Sequence, residues 1–189
     1  MKIGVLSLQG DFAQHARMLE RLGVPAVEVR TAAALDETAG LIIPGGESTT
    51  MVKFIREEGL EPALRAFAAD RPVYGTCAGA ILLARVVVGS DQFSLGLIDI
   101  GVRRNAYGRQ VDSFIETNPS ALPGPPLEMV FIRAPVIERV GPDVEVLARS
   151  QDRPVLVRAG RILAGTFHPE LTEDPRVHEY FVAMAAPEG

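Results

Sequence analysis

The stretch Val73-Tyr74-Gly75-Thr76-Cys77-Ala78-Gly79-Ala80-Ile81-Leu82-Leu83-Ala84 runs from a short apolar strand, through a turn flanked by glycines, straight into an apolar helix. Strand–turn–helix units of this kind build parallel sheets that are covered by helices. The helix has no polar face, so we expect it to be largely buried. The sequence therefore predicts an α/β protein organised around this unit.

The chain upstream repeats the same alternation. An apolar strand closes at Leu6 and Leu8, and a helical pattern begins at Phe12 and lasts up to the turn at Gly23. Short apolar runs at 26–30 and 41–43 then predict the second and third strands. Strands that alternate with helices predict a mostly parallel sheet with helices on both faces.

A helix follows the third strand, and we expect Ser48 or Thr49 to cap it. From about Leu95 to Phe167 the pattern changes to apolar runs separated by Gly and Pro turns, which predicts a strand-rich, partly antiparallel half. Residues 119–126 read as a surface loop. Asp174, followed by a proline, predicts the cap of a last helix with an inward stripe; its members are Val177, Phe181 and Met184.

Composition limits the classes of function. The 189 residues are 47% hydrophobic and 23% charged, which fits one domain over 1–189. The net charge of −5 argues against a nucleic-acid partner, and the N-terminal apolar run is too short for a membrane span. One cysteine and three scattered histidines give no metal-site spacing, and no cofactor motif is evident. We expect a cytoplasmic protein without cofactor or metal.

Cys77 lies between a strand and a helix, with glycines two residues before and two residues after it. This is the pattern of a nucleophile elbow, in which a tight turn leaves no room for flanking side chains. The helix start offers N–H groups that favour a thiolate and can bind an oxyanion. The alternative is a buried and inert cysteine, which is common for a lone Cys in a core.

A thiol nucleophile needs a base and a carboxylate that orients the base. His168 and Glu170 supply both, and an extended backbone there would point the two side chains the same way. Pro169 favours that extended backbone. His15 and His178 are weaker candidates, because each lies in a predicted amphipathic helix among charged neighbours. His168 could instead be an ordinary histidine at a strand end.

Pro44-Gly45-Gly46-Glu47-Ser48 follows the third strand, at the sheet edge where open α/β sheets bind ligands. We assign the oxyanion donors to the backbone N–H groups of Gly46 and Ala78. A phosphate loop is disfavoured because no lysine follows the glycines. A plain turn with a helix cap is the more serious alternative.

Six segments together resemble the class I (triad) glutamine amidotransferase family and, within it, the glutaminase subunits of pyridoxal 5′-phosphate synthase. They span nearly the whole chain: Leu8-Gln9-Gly10, 44–51, 75–79, Arg104-Asn105 with 108–114, 131–135 and 167–172. The resemblance implies a three-layer α/β/α, flavodoxin-like fold. It also implies hydrolysis of L-glutamine to L-glutamate and ammonia, with Cys77 as nucleophile, His168 as acid/base and Glu170 as orienter.

The same resemblance implies a substrate pocket formed by Gly46, Glu47, Ser48, Arg104, Ile132 and Arg133. An arginine suits the α-carboxylate of glutamine, because its guanidinium makes paired hydrogen bonds. The sequence leaves open which arginine does so.

A partner is implied as well. Glutaminases of this family pass ammonia to a synthase subunit, in a large hetero-oligomer of up to twelve copies of each. We expect the docking face around Gln9-Gly10-Asp11 and Pro44–Ser48, on the same sheet edge as Cys77. Two alternatives remain: a cysteine hydrolase of another γ-glutamyl amide, and a non-catalytic interaction module on the same fold.

Overall fold

The computed structural model describes residues 1–104 and 113–187 of the chain. The N-terminal half shows the expected alternation of strands and helices, and strands dominate the described residues between 98 and 165. The strands are β1 Ile3–Leu6, β2 Ala26–Val29, β3 Gly40–Ile43, β4 Val73–Thr76, β5 Ala84–Val87, β6 Ile98–Arg103, β7 Ser113–Asn118, β8 Leu127–Ile132, β9 Val136–Val140, β10 Glu145–Ser150, β11 Arg153–Ala159 and β12 Ile162–Gly165. The helices are α1 Phe12–Arg21, α2 Ala32–Asp36, α3 Ser48–Glu57, α4 Glu61–Asp70, α5 Ala78–Leu83 and α6 Arg176–Ala185.

The central sheet has seven strands in the order β10-β11-β12-β4-β3-β1-β2. The five strands from β12 to β2 are parallel, and β11 and β10 extend the sheet antiparallel. A smaller sheet has the order β5-β6-β9, and β7 and β8 form a separate antiparallel pair. The mostly parallel sheet and the partly antiparallel second half are therefore confirmed.

Both faces of the inner strands β1, β3, β4 and β12 are buried, as their continuous apolar sequences predict. In β3, Leu41 and Ile43 belong to one core cluster, and Ile42 belongs to the cluster on the other face. Among the described residues, no helix combines the length and the apolar character needed to cross a membrane.

Two helix starts differ from the sequence prediction. The cap of α3 is Glu47, whose carboxylate accepts the N–H of Thr49, so neither Ser48 nor Thr49 serves as the cap. Helix α6 starts one residue later than expected, and the carboxylate of Asp174 accepts the N–H of Arg176.

The order of the strands places four chain segments at one edge. Strands β12, β4, β3 and β1 are neighbours and parallel, so their carboxyl ends lie side by side. The segments that leave these ends carry, in that order, His168, Cys77, Gly46 and Gln9. An α/β sheet binds its ligands at this edge.

Candidate active site

Cys77 occupies a strained turn between β4 and α5. Its φ of 48° and ψ of −104° lie in a region that side chains other than glycine rarely adopt. A Cβ at Gly79 would lie 2.0 Å from the carbonyl oxygen of Ile43, and a Cβ at Gly75 would lie 2.6 Å from the backbone of Gly79. Only glycine fits at either position. The backbone N–H of Cys77 donates to the carbonyl of Gly165 at 2.8 Å, which ties the turn to β12.

His168 and Glu170 leave the end of β12. The ring Nδ1 of His168 lies 2.7 Å from Oε1 of Glu170, and both side chains are buried. The backbone is not extended here as the sequence suggested: Pro169–Leu171 form a 3₁₀ turn. The turn still brings the two side chains together, because it folds Glu170 back toward the ring.

The second ring nitrogen of His168 is left for Cys77, whose interaction with the ring helps to raise the pKa of His168. Burial alone would lower the pKa of His168, but the hydrogen bonds and charges of Cys77 and Glu170 outweigh it and raise that pKa to about 10. Burial raises the pKa of Glu170, yet the charge that His15 carries when it is protonated and the hydrogen bond from His168 lower it to about 2. At neutral pH the site therefore holds an imidazolium beside a carboxylate.

A cavity of about 280 Å³ opens over this group. Its lining includes Cys77 and His168, both of the residues expected as oxyanion donors, and every residue expected to contact substrate; these are Gly46, Glu47, Ser48, Ala78, Arg104, Ile132 and Arg133. Glu170 lies behind His168 and does not line the cavity. Ala78 is the first residue of α5, so its N–H has no acceptor within the helix and is available to a ligand.

A polar network forms one wall of the cavity. The guanidinium of Arg104 contacts Oε1 of Glu47 at 3.1 Å and also donates to the side chain of Gln92. The hydroxyl of Ser48 donates to the same Gln92 oxygen at 3.3 Å. Hydrogen bonds from Thr49 lower the pKa of Glu47, with a smaller contribution from the charge of Arg104. The carboxylate and the guanidinium therefore hold each other at the pocket wall.

Four further residues line the cavity that the sequence does not predict as site residues; they are Gln9, Asp11, Ile81 and Pro135. The sequence places Gln9 and Asp11 only at the docking face. Their position after β1 is a usable signal, since that strand ends at the same edge as β3 and β4. Ile81 and Pro135 carry no such signal, because they reach the cavity through tertiary packing alone.

His15 and His178 depart most from expectation. Both are fully buried rather than placed among charged neighbours on helix surfaces. Nδ1 of His15 lies 2.9 Å from Nε2 of His178, and Nε2 of His15 lies 3.5 Å from Oε2 of Glu170. Helical periodicity put each ring on a helix, but it could not show that the two helices bring these rings together behind Glu170.

Among the described residues, one group has the side chains of a metal site. Ligand atoms of Asp11, His168 and Glu170 all lie within 4.8 Å of one another. The nitrogen that faces both carboxylates already makes the 2.7 Å hydrogen bond to Glu170. Hydrogen bonding therefore accounts for the group, and the absence of a metal or cofactor from the function stays a prediction.

Comparison with known proteins identifies the family. The model of the SNO glutamine amidotransferase family matches residues 5–186. The chain belongs to this family. This amidotransferase is 58% identical over 184 residues to the pyridoxal 5′-phosphate synthase subunit PdxT of Koribacter versatilis, covering 97% of this chain and 95% of that protein. It is 54% identical to the PdxT subunit of Thermus thermophilus, covering 97% of each.

Solved structures agree with the fold of this amidotransferase. A crystal structure described as a glutamine amidotransferase superposes with a TM-score of 0.92 at 51% identity, covering 98% of this chain and 99% of the other. A putative GMP synthase component from Thermoplasma acidophilum superposes with a TM-score of 0.68 at 21% identity, covering 98% and 94%. The second likeness shows the fold alone. The segment 105–112, which carries part of the sequence resemblance, lies outside the described residues.

Proposed function

We propose that this chain is the glutaminase subunit of a pyridoxal 5′-phosphate synthase, which hydrolyses L-glutamine to L-glutamate and ammonia. The observation that carries the proposal is the contact between His168 and Glu170 beside Cys77, at the mouth of a cavity and on the strained turn of a nucleophile elbow. The high identity to PdxT subunits over nearly the full chain supports the choice of substrate and pathway.

The first half of the reaction forms a thioester. Cys77 attacks the side-chain amide carbon of glutamine as a thiolate, and the carbonyl oxygen takes up the negative charge. The backbone N–H groups of Gly46 and Ala78 stabilise that oxyanion. His168 gives its ring proton to the departing nitrogen, the C–N bond breaks, and ammonia leaves a γ-glutamyl thioester on Cys77.

The second half restores the enzyme. Neutral His168 takes a proton from a water molecule, whose oxygen attacks the thioester carbon. The C–S bond then breaks, glutamate leaves, and Cys77 regains its starting state. Glu170 holds the ring of His168 through the 2.7 Å hydrogen bond and stabilises its positive charge throughout.

In this proposal, the residues that line the cavity bind the substrate. We assign the α-carboxylate of glutamine to an arginine at the mouth, and the candidates are Arg104 and Arg133, which both line the cavity. Glu47 and Ser48 face the same space, and their polar groups suit the amine and the amide of the substrate. Ile132 supplies an apolar surface for the methylene groups.

The partner in this proposal is the synthase subunit that consumes the ammonia. Ammonia in water at neutral pH is mostly ammonium, a poor nucleophile, so transfer through a dry interface is chemically useful. We propose a hetero-oligomer of up to twelve copies of each subunit in the cytoplasm, with residues 1–189 acting as one glutaminase domain. A single unpaired cysteine suits a reducing compartment.

We place the docking face at the loops after β1 and β3. The two loops are hydrogen-bonded to each other, since Gln9 accepts the N–H of Glu47 at 2.8 Å and the N–H of Asp11 donates to Gly45. Asp11→Lys should weaken synthase binding. Glu37→Lys is the matched control, because Glu37 pairs with Lys2 at the opposite edge of the sheet. Equal binding by both variants would remove this face from the proposal.

The test of the function is ammonia release from glutamine, measured with and without the synthase subunit of the same organism. We expect release of glutamate and ammonia in equal amounts, with a higher rate when the synthase subunit is present. No release under either condition would refute the proposed function.

A further inference from the structure

Behind the site lies a buried pair of histidines that the proposed mechanism does not use. His15 on α1 and His178 on α6 are both fully buried, and their facing ring nitrogens are 2.9 Å apart. A buried polar ring is costly unless its nitrogens are hydrogen-bonded. The two rings are in contact although their helices are far apart in sequence. We therefore expect a specific role of the pair.

The other nitrogen of His15 faces Glu170. Its Nε2 lies 3.1 Å from Oγ1 of Thr76 and 3.5 Å from Oε2 of Glu170. The two oxygens of that carboxylate face different histidines. Oε1 lies 2.7 Å from the ring of His168, and Oε2 faces the ring of His15. Oε2 has no hydrogen bond to any residue in the described part of the chain, so the ring of His15 is the polar group placed to bind it.

The charge of Glu170 selects one tautomer of His15. A lone pair on Nε2 would face a buried carboxylate oxygen and be repelled, whereas an N–H there is attracted. With its proton on Nε2, His15 must accept a hydrogen bond at Nδ1, and only an N–H on Nε2 of His178 can supply it. This leaves Nδ1 of His178 without a proton, and that atom has no hydrogen-bond partner among the described residues.

Both outer rings are neutral at neutral pH. Burial lowers the pKa of His15 more than the charge of Glu170 raises it, and burial lowers the pKa of His178 to about 3. A neutral ring can hold Glu170 through its N–H without competing with His168 for the ion pair. The titratable groups that face His15 are Asp11, Tyr74, His168, Glu170 and His178.

We propose that His15 is a positioning residue for the reaction, a role that rests on the proposed function. Its Nε2–H lies 3.1 Å from Oγ1 of Thr76 and attracts Oε2 of Glu170 at 3.5 Å while Oε1 stays on His168, and His178 fixes the tautomer that makes this possible. The donors then run in one direction, from His178 to His15 to Glu170. Without His15 the carboxylate is free to turn, and the ring of His168 loses the partner that sets its orientation.

The first test compares two isosteric variants in the complex with the synthase subunit. The amide nitrogen of His15→Gln can take the place of Nε2, whereas that of His15→Asn takes the place of Nδ1 and points away from Glu170. We expect His15→Asn to lower kcat for glutamine ~10- to 100-fold with KM unchanged, and His15→Gln to recover most of that loss. Met18→Ala, one turn along α1 and also buried, is the control for a purely structural effect and should leave kcat unchanged.

Three outcomes are distinguishable. An inactive wild-type complex refutes the proposed function. An active wild type with equal kcat in both His15 variants overturns the role of His15 alone, and so does a loss of kcat in Met18→Ala that matches the loss in His15→Asn. The rate of Cys77 alkylation by iodoacetamide, measured against pH in the absence of glutamine, reports on the ionisation of the site. We expect this pH profile to shift in His15→Asn and not in Met18→Ala.

The second test needs no variant that might fail to fold. The chain has three histidines, so nitrogen-15 NMR of the intact protein can assign the tautomer of each ring. We expect His15 and His178 to carry their protons on Nε2 at neutral pH, and His168 to be doubly protonated. A proton on Nδ1 of His15 would overturn the proposal.

Discussion

Nδ1 of His168 lies 2.7 Å from Oε1 of Glu170, and the 3₁₀ turn Pro169–Leu171 lies between the backbones of the two residues. The hydrogen bond orients the ring and also sets its charge, because a buried carboxylate next to an imidazole stabilises the protonated form. The remaining ring nitrogen is therefore directed at Cys77 with a proton to give.

Replacement of Glu170 by glutamine should leave the shape of the site intact and remove its negative charge. We expect the pKa of His168 to fall and kcat to drop ~10²- to 10⁴-fold, the range that a positioned acid–base contributes. Steady-state kinetics with the synthase subunit present would measure the loss, and NMR titration of His168 would measure the pKa. An unchanged pKa would contradict the electrostatic role of Glu170.

The raised pKa of His168 predicts how stability depends on pH. A group whose pKa rises on folding, here from 6.5 to about 10, stabilises the fold fully below pH 6.5 and loses that contribution as pH rises through about 10. Chemical denaturation of the wild type should therefore show a falling free energy of unfolding across this window. In His168→Gln the fall should be smaller; an equal fall in both proteins would place its origin elsewhere.

The nucleophile elbow predicts that substitution by alanine destabilises the fold much more at Gly79 than at Gly165. Gly79→Ala would put a Cβ 2.0 Å from the carbonyl oxygen of Ile43, whereas a Cβ at Gly165 meets nothing closer than 3.4 Å. We expect Gly79→Ala to lower the free energy of unfolding by about 1–3 kcal/mol or more and to displace Cys77. Gly165→Ala is the control for loss of backbone freedom and should lower the free energy of unfolding much less. Equal effects would mean that the elbow is not tightly packed.

The two arginines at the cavity mouth should respond differently to a change of substrate. Arg104 already pairs with Glu47 and Gln92, so Arg104→Ala should raise KM for glutamine and for its α-amide alike, by releasing that wall. Arg133→Ala should raise KM ~10- to 100-fold for glutamine only, if its charge binds the α-carboxylate. If Arg133→Ala raises KM for both substrates, Arg133 does not bind the α-carboxylate of glutamine.

The sequence predicted the parts of the fold whose cause is local. The buried strands, the turn at Cys77 and the loop at Gly46 each have a pattern that sequence periodicity or turn chemistry can reveal. The carboxyl edge of a parallel sheet then brings these segments together without further information. The family resemblance supplied Arg104, Ile132 and Arg133. Arg104 follows β6 of the smaller sheet, Ile132 ends β8 and Arg133 follows it, so the rule for the carboxyl edge of the parallel sheet does not locate them.

The sequence failed where the outcome depended on packing between distant elements. Helical spacing suggested that His15 and His178 would face charged neighbours, but the packing of α1 and α6 against the sheet buries both. A hydroxyl residue was expected at the cap of α3 because such residues are common there, yet the carboxylate of Glu47 was one residue closer to the strand. Neither result could be read from one segment alone.

The most direct test of the central claim is covalent labelling of the complex with the chloroketone analogue of glutamine, followed by peptide mass spectrometry. The account predicts one adduct on Cys77, protection of Cys77 by glutamine, and slower labelling in His168→Gln. If Cys77 carries no adduct while the synthase subunit is bound, the sulfur is not a nucleophile and the account is wrong.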